Sequence, residues 1–152
     1  QLLNIDIKQP LGASPIKSSA APTAKQVYIK SLLKQKEDDV PLYVDTVGSE
    51  AKIGAKIIIN TYNAQHKSIN WIFDEKTKHI RSGADSDLVL TLKHYVTTVD
   101  IQLQKENGVS DPKDQEWIYK EKRIVSVKHP DQCLEVKNGK PRPSCAGTFP
   151  IQ

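Results

Sequence analysis

Any chemistry in this chain would have to come from a small set of residues. Cys133 and Cys145 stand twelve positions apart. The spacing is not C-x-x-C, and no His pair follows at zinc-finger spacing, so no metal site is expected. The two thiols flank a loop holding Gly139, Pro141 and Pro143. In an oxidising compartment that interval suits a small disulfide ring. His66, His79, His94 and His129 are scattered and read as solvent-exposed residues. Acidic runs, "EDD" at Glu37 to Asp39 and "DSD" at Asp85 to Asp87, lie in turn-like sequence, where Asp stabilises the turn backbone. No G-x-S-x-G, H-E-x-x-H, P-loop or G-x-G-x-x-G occurs, so no enzyme activity and no cofactor are expected. What remains is a spacing rather than a catalytic set. "DQEW" places Asp114 and Gln115 just before Trp117, "SIN" precedes Trp71, and the last residue, Gln152, would open another Gln-x-Trp.

The bulk composition narrows the partners. The chain has 152 residues, 22 Lys plus Arg and 18 Asp plus Glu, a net charge of +4. Both signs are mixed along it, as in "KQKEDD" and "YKEKR", which describes a solvated surface. No concentrated basic stripe interleaves with aromatics, so nucleic acid is not an expected partner. No apolar run is long enough for a transmembrane helix, and no hydrophobic signal sequence is present. Residue 1 is Gln, so the expectation is a processed or cut chain, with a signal peptide removed and a secreted or cell-surface location.

The elements that must position these residues are short. Residues 8–25, "KQPLGASPIKSSAAPTAK", are rich in Pro, Ser and Ala without apolar periodicity. Residues 1–25 therefore read as a flexible leader, although the weak alternation of "QLLNIDI" could add a strand elsewhere. The globular part is expected over 26–152. Its runs, among them "PLYVDTV", "AKIIINTYN", "INWIFDE", "DLVLTLKHY", "VDIQLQ", "EWIYKEK", "RIVSVKH" and "CLEVKNG", are rich in Val, Ile, Thr and aromatics. Gly, Asn, Asp or Pro separates them, as in an all-β sandwich or barrel. No stretch sustains an amphipathic helix over three turns.

The runs also repeat. With Trp71 set over Trp117, "INWIFDEKTKHIRS" aligns with "QEWIYKEKRIVS" across a short gap. Each is followed by an acidic turn and an apolar strand, "DSDLVLTL" and "HPDQCLEV". Three units result, 26–75, 76–121 and 122–152, each of about four short strands. Such units cannot bury their apolar faces alone, so a threefold closed barrel capped by hairpins is expected.

These residues resemble the ricin B-type β-trefoil lectin family. "CLEV" at Cys133 to Val136, "SCAG" around Cys145 and "QEW" at Gln115 to Trp117 carry the likeness, and "INW" is a degraded copy. The resemblance implies a β-trefoil, a Cys133–Cys145 pair and core roles for Trp71 and Trp117. It also implies a sugar pocket in each repeat, made from the acid of "C-L-D-V", an aromatic on the next strand and an amide pair before the Trp. A carboxylate accepts from vicinal hydroxyls, an aromatic face covers the apolar side of the ring, and an amide both donates and accepts. The first repeat offers Asp45, with Asn60 near the aromatic slot and Tyr62 two residues on. Ser68 and Ile69 stand where the amide pair would be. Asp45 equally suits a turn-capping role. The second repeat offers Asp114 and Gln115. Its acid slot falls near Leu90 and its aromatic slot near Gln102 or Gln104, with Tyr95 a substitute if its loop folds in. The third offers Glu135, with Pro143 in the aromatic slot and Gln152 as amide.

The expected function is a secreted, non-catalytic carbohydrate-binding module for galactose- or N-acetylgalactosamine-type glycans or glycoproteins at a cell surface. The alternative is a trefoil with decayed sugar sites, serving as a surface-coat component, toxin-complex subunit or protease inhibitor, with a protein partner reached through the leader. A third reading is sulfated-glycan binding through Lys120, Lys122, Arg123 and Lys128. Gly147 is expected to open a final loop. The native chain is expected to run on past Gln152 into a last strand, or "QLLNIDI" to take that strand's place.

Overall fold

The computed structural model describes residues 3–6, 24–31, 41–136 and 147–151. The strands among them are β1 (Leu3–Asp6), β2 (Ala24–Ser31), β3 (Leu42–Thr46), β4 (Ile57–Thr61), β5 (Trp71–Asp74) and β6 (His79–Ser82). They continue as β7 (Leu88–His94), β8 (Val99–Lys105), β9 (Trp117–Lys120), β10 (Arg123–Ser126), β11 (Gln132–Val136) and β12 (Gly147–Ile151). The described residues contain three short 3-10 turns and no α-helix, so the chain is all-β. One sheet runs β4-β3-β2-β5-β6-β7-β8 with β1 on β2, and the second runs β12-β11-β10-β9.

Alternation explains the burial. In β5, Trp71 and Phe73 point inward while Ile72 and Asp74 stay half-buried. Val27, Ile29, Val44, Ile80, Leu90, Leu103, Ile124 and Leu134 join Trp71 and Trp117 in one core. Both indoles are wholly enclosed, and each N–H finds a backbone acceptor 27 residues earlier in the chain. Trp71 Nε1 donates to Val44 O at 2.9 Å and Trp117 Nε1 to Leu90 O at 3.0 Å. A buried indole needs such a partner, so each Trp strand is pinned to the hairpin before it.

The same order of elements thus occurs twice. The β3–β4 hairpin, the 3-10 turn Lys67–Ile69 and β5 are followed by the β7–β8 hairpin, the turn Pro112–Gln115 and β9. Asp111 begins the second turn by accepting from Lys113 N at 3.0 Å, with Pro112 supplying a preset φ.

Two regions differ from the sequence reading. The stretch read as leader holds β1, and β2 begins at Ala24 rather than at residue 26. β1 pairs antiparallel with β2, placing Leu3 opposite Ser31. Trp71 lies opposite Ser82 on β6, and Trp117 opposite Ser126 on β10. The three serines are all buried. Each directly follows the residue that pairs with the next strand: Lys30↔Tyr43, Arg81↔Val89 and Val125↔Cys133. β1 therefore holds on β2 the register that the Trp strands hold on β6 and β10. An open strand edge invites pairing, and an alternating segment satisfies it. Residues 7–23 lie outside the described residues.

Gly147, expected to open a loop, instead begins β12, which runs parallel to β11 with Gln132 opposite Gly147. Its position at the sheet edge accommodates Pro150, which has no N–H to give a further strand.

Candidate functional site

In the first unit the outward face of the β3–β4 hairpin gathers polar groups around Asp45. Its Oδ1 accepts from Ser68 Oγ at 2.6 Å and from Thr46 N at 2.7 Å. Its Oδ2 accepts from Asn60 Nδ2 at 3.4 Å and lies 3.7 Å from His66 Nδ1. His66 Nε2 accepts from Asn63 Nδ2 at 3.2 Å, which puts the ring proton on Nδ1, facing Ser49 Oγ at 2.9 Å. Asp45 is 0% exposed, so protein groups close over the carboxylate. Ser68 and Asn60 do converge on Asp45. Tyr62 packs edge-on against Tyr28 and Tyr43, with ring centroids at 5.5 and 6.0 Å.

The second unit is built differently. Thr91, one residue after the carbonyl that accepts from Trp117, stands where Asp45 stands in the first unit. Gln115 is fully buried and turns inward. Its Nε2 donates to Thr91 Oγ1 at 3.2 Å and Lys105 O at 2.9 Å, and its Oε1 accepts from Asn107 N at 2.8 Å. Asp114 points elsewhere, accepting from His94 Nε2 at 2.7 Å and Lys128 Nζ at 3.0 Å. Lys128 also reaches Asp111 at 2.9 Å. These bonds, the one to Asp111 foremost, hold the Lys128 pKa above its usual value, and the Asp111 carboxyl lies below its own. Asp114 and Gln115 thus brace the turn and do not act as a pair.

Beside them lies a set the sequence reading saw only in part. Tyr95 occupies the β7–β8 tip, half exposed, with its N–H donating to Thr98 O at 2.8 Å. The loop folds in, and Tyr95 Oη accepts from Gln102 Nε2 at 2.9 Å. The same nitrogen donates to Asp100 Oδ2 at 3.2 Å, and Gln104 Nε2 donates to Gln102 Oε1 at 3.2 Å. Asp100 and His94 were missed. The period-2 match of Asp100, Gln102 and Gln104 on one strand face could have flagged Asp100, whereas no local pattern marks His94.

In the third unit Glu135 is buried and Cys133 is buried and not a free thiol. Pro143, Cys145 and Gln152 lie outside the described residues. One histidine departs from expectation. His79 is buried because Glu106 Oε2 takes its Nδ1 at 2.5 Å, alongside Arg81, which also reaches Asp74. Of the cations in the sulfated-glycan reading, Arg123 pairs with Glu121, and Lys128 with Asp111 and Asp114.

No group of three or more His, Cys, Asp or Glu suited to a metal occurs among the described residues. The β7–β8 face offers a hydroxyl, an amide and a carboxylate within reach of solvent, groups that hydrogen-bond polyols, whereas the carboxylate of the first unit is enclosed. The sequence profile of the ricin-type β-trefoil lectin domain matches residues 32–147. The chain belongs to that family. Among curated proteins none matches it. A ricin-type domain is a carbohydrate-binding module and generally non-catalytic. No helix among the described residues is long and apolar enough to cross a membrane.

Proposed function

We propose that this ricin-type domain is a non-catalytic module for galactose- or N-acetylgalactosamine-type glycans at a cell surface, secreted to reach them. The observation that supports it most is the doubled hairpin–turn–Trp-strand scaffold, which gathers polar side chains on each copy, enclosed around Asp45 on the first and partly exposed at Tyr95 and Asp100 on the second. The reading includes a third unit completing a threefold pseudo-repeat, and a Cys133–Cys145 disulfide made in an oxidising compartment. Peptide mass mapping without reductant would detect the linked pair. Isothermal titration with galactose and N-acetylgalactosamine tests the main reading. Heat saturating at millimolar sugar is expected, and a flat response to both sugars and to a broad glycan array would overturn it.

A second reading is favoured by one observation, the complete enclosure of Asp45. Under it the sugar sites have filled in and the domain serves a protein partner. A stoichiometric partner retained in the presence of free galactose would support this alternative. The described part of the leader, β1, already pairs within the chain.

A further inference from the structure

The β7–β8 hairpin carries what the first unit hides. The position equivalent to Asp45 is Thr91, whose hydroxyl donates to Val89 O at 3.0 Å, so no carboxylate stands there. Farther along the same hairpin face the ingredients return in other residues. Tyr95 is 52% exposed at the tip. Asp100, half-buried, accepts one protein hydrogen bond on each oxygen, from Ile101 N at 3.0 Å and Gln102 Nε2 at 3.2 Å. A carboxylate has about four acceptor positions, so each oxygen retains one. Gln102 is nearly buried, and its amide fixes the geometry by holding Tyr95 Oη and Asp100 Oδ2 on one nitrogen. Because Tyr95 Oη accepts from Gln102, its own proton is available to donate. Gln104, half-buried, spends one amide hydrogen on Gln102 and keeps its carbonyl oxygen.

We propose that Tyr95, Asp100 and Gln104, positioned by Gln102, form the glycan-binding site of this chain, and that it takes a neutral hexopyranose with a C–H-lined face, such as galactose. The proposal rests on the glycan-binding reading above and specifies where and how it is met. The C–H face lies on the Tyr95 ring, while adjacent hydroxyls donate to Asp100 and exchange hydrogen bonds with Gln104 and the Tyr95 hydroxyl. Lys93 stands opposite Asp100 in the register, so the local charge is balanced and the site does not call for an ionised sugar. The ligand covers only one strand face and a loop tip, so the affinity per site is weak, in the millimolar range.

The test is an amide NMR titration of the full chain with methyl β-galactoside. Variants Tyr95→Ala, Tyr95→Phe and Asp100→Asn are titrated alongside, each first checked for an unchanged unfolding midpoint. Shifts confined to residues 93–104, with affinity lowered about tenfold or more in Tyr95→Ala and Asp100→Asn, are expected. Tyr95→Phe, which keeps the ring and loses the hydroxyl, should lose less. Saturable shifts centred on residues 43–62, with Tyr95→Ala binding as wild type, would overturn this site and leave the glycan reading intact. A wild-type chain that shows no shifts with the galactoside or with a panel of neutral sugars would overturn both.

Discussion

Asp45 is the residue whose type drew attention first and whose surroundings decide its role. With Ser68, Thr46 and Asn60 bonded to a fully enclosed carboxylate, it holds the turn Lys67–Ile69 against the β3–β4 hairpin. Removing it leaves those buried donors without an acceptor. Asp45→Ala should therefore destabilise the fold by about 1–3 kcal/mol, read from the urea midpoint at unchanged m-value. Asp45→Asn should cost less, since an amide oxygen still accepts. The indoles allow a similar separation. Trp71→Ala should cost about 3–5 kcal/mol through the cavity. Trp71→Phe should be milder and report mainly the stranded Val44 carbonyl. Asp45 was legible in the sequence from the acid slot of its repeat, Asn60 from its place near the aromatic slot and Ser68 from the degraded Q-x-W. His66 was not, because nothing in its neighbours signals that its ring would fold over Asp45 from beyond the hairpin.

At the scale of elements, β1 is the instructive case. It occupies on β2 the register that Trp strands take on β6 and β10. Deleting residues 1–6 should expose the backbone of Tyr28–Ser31. Faster hydrogen exchange there and a melting temperature lower by about 5 °C are expected. A synthetic peptide "QLLNIDI" should restore protection if pairing, and not chain length, is responsible. A second prediction concerns the ties among β5, β6 and β8. Glu106 has its pKa lowered chiefly by the hydrogen bond from Arg81. Burial pushes the Asp74 pKa up, yet hydrogen bonds from Thr77, Lys76 and Arg81 bring it below its usual value. A carboxylate depressed in the folded state contributes stability fully above its unfolded pKa, and loses it as pH falls through the folded value. The loss for Glu106 should therefore set in below its ordinary value of 4.5. Glu106→Gln should flatten that part of the acid-unfolding curve while lowering stability at neutral pH. Individual strands were readable because a half-buried strand must alternate. β1 was readable only as a weak alternation, since its partner is set by an edge that no local pattern reveals.

For the whole molecule, a small net charge of +4 spread over mixed signs gives no single strong field. If a neutral sugar is the ligand, its affinity should be nearly unchanged when salt is raised from about 0.05 to 0.5 M, because little charge is screened on binding. Retention on a heparin column should fall over the same range, marking any contact through Lys120 and Lys122 as nonspecific attraction. By itself the sequence determined an all-β chain, the repeated strand order and the burial of two tryptophans. These follow from period-2 patterning and from the size of an indole that must be enclosed and given an acceptor. Only the tertiary structure decided which polar residues meet. It turned Gln115 inward, closed Asp45 beneath His66, set β1 on the edge of β2 and brought Tyr95 back over Gln102. Those outcomes depend on pairings across the sheet and on loops folding over neighbouring strands, and such contacts leave no periodic trace in the order of the residues.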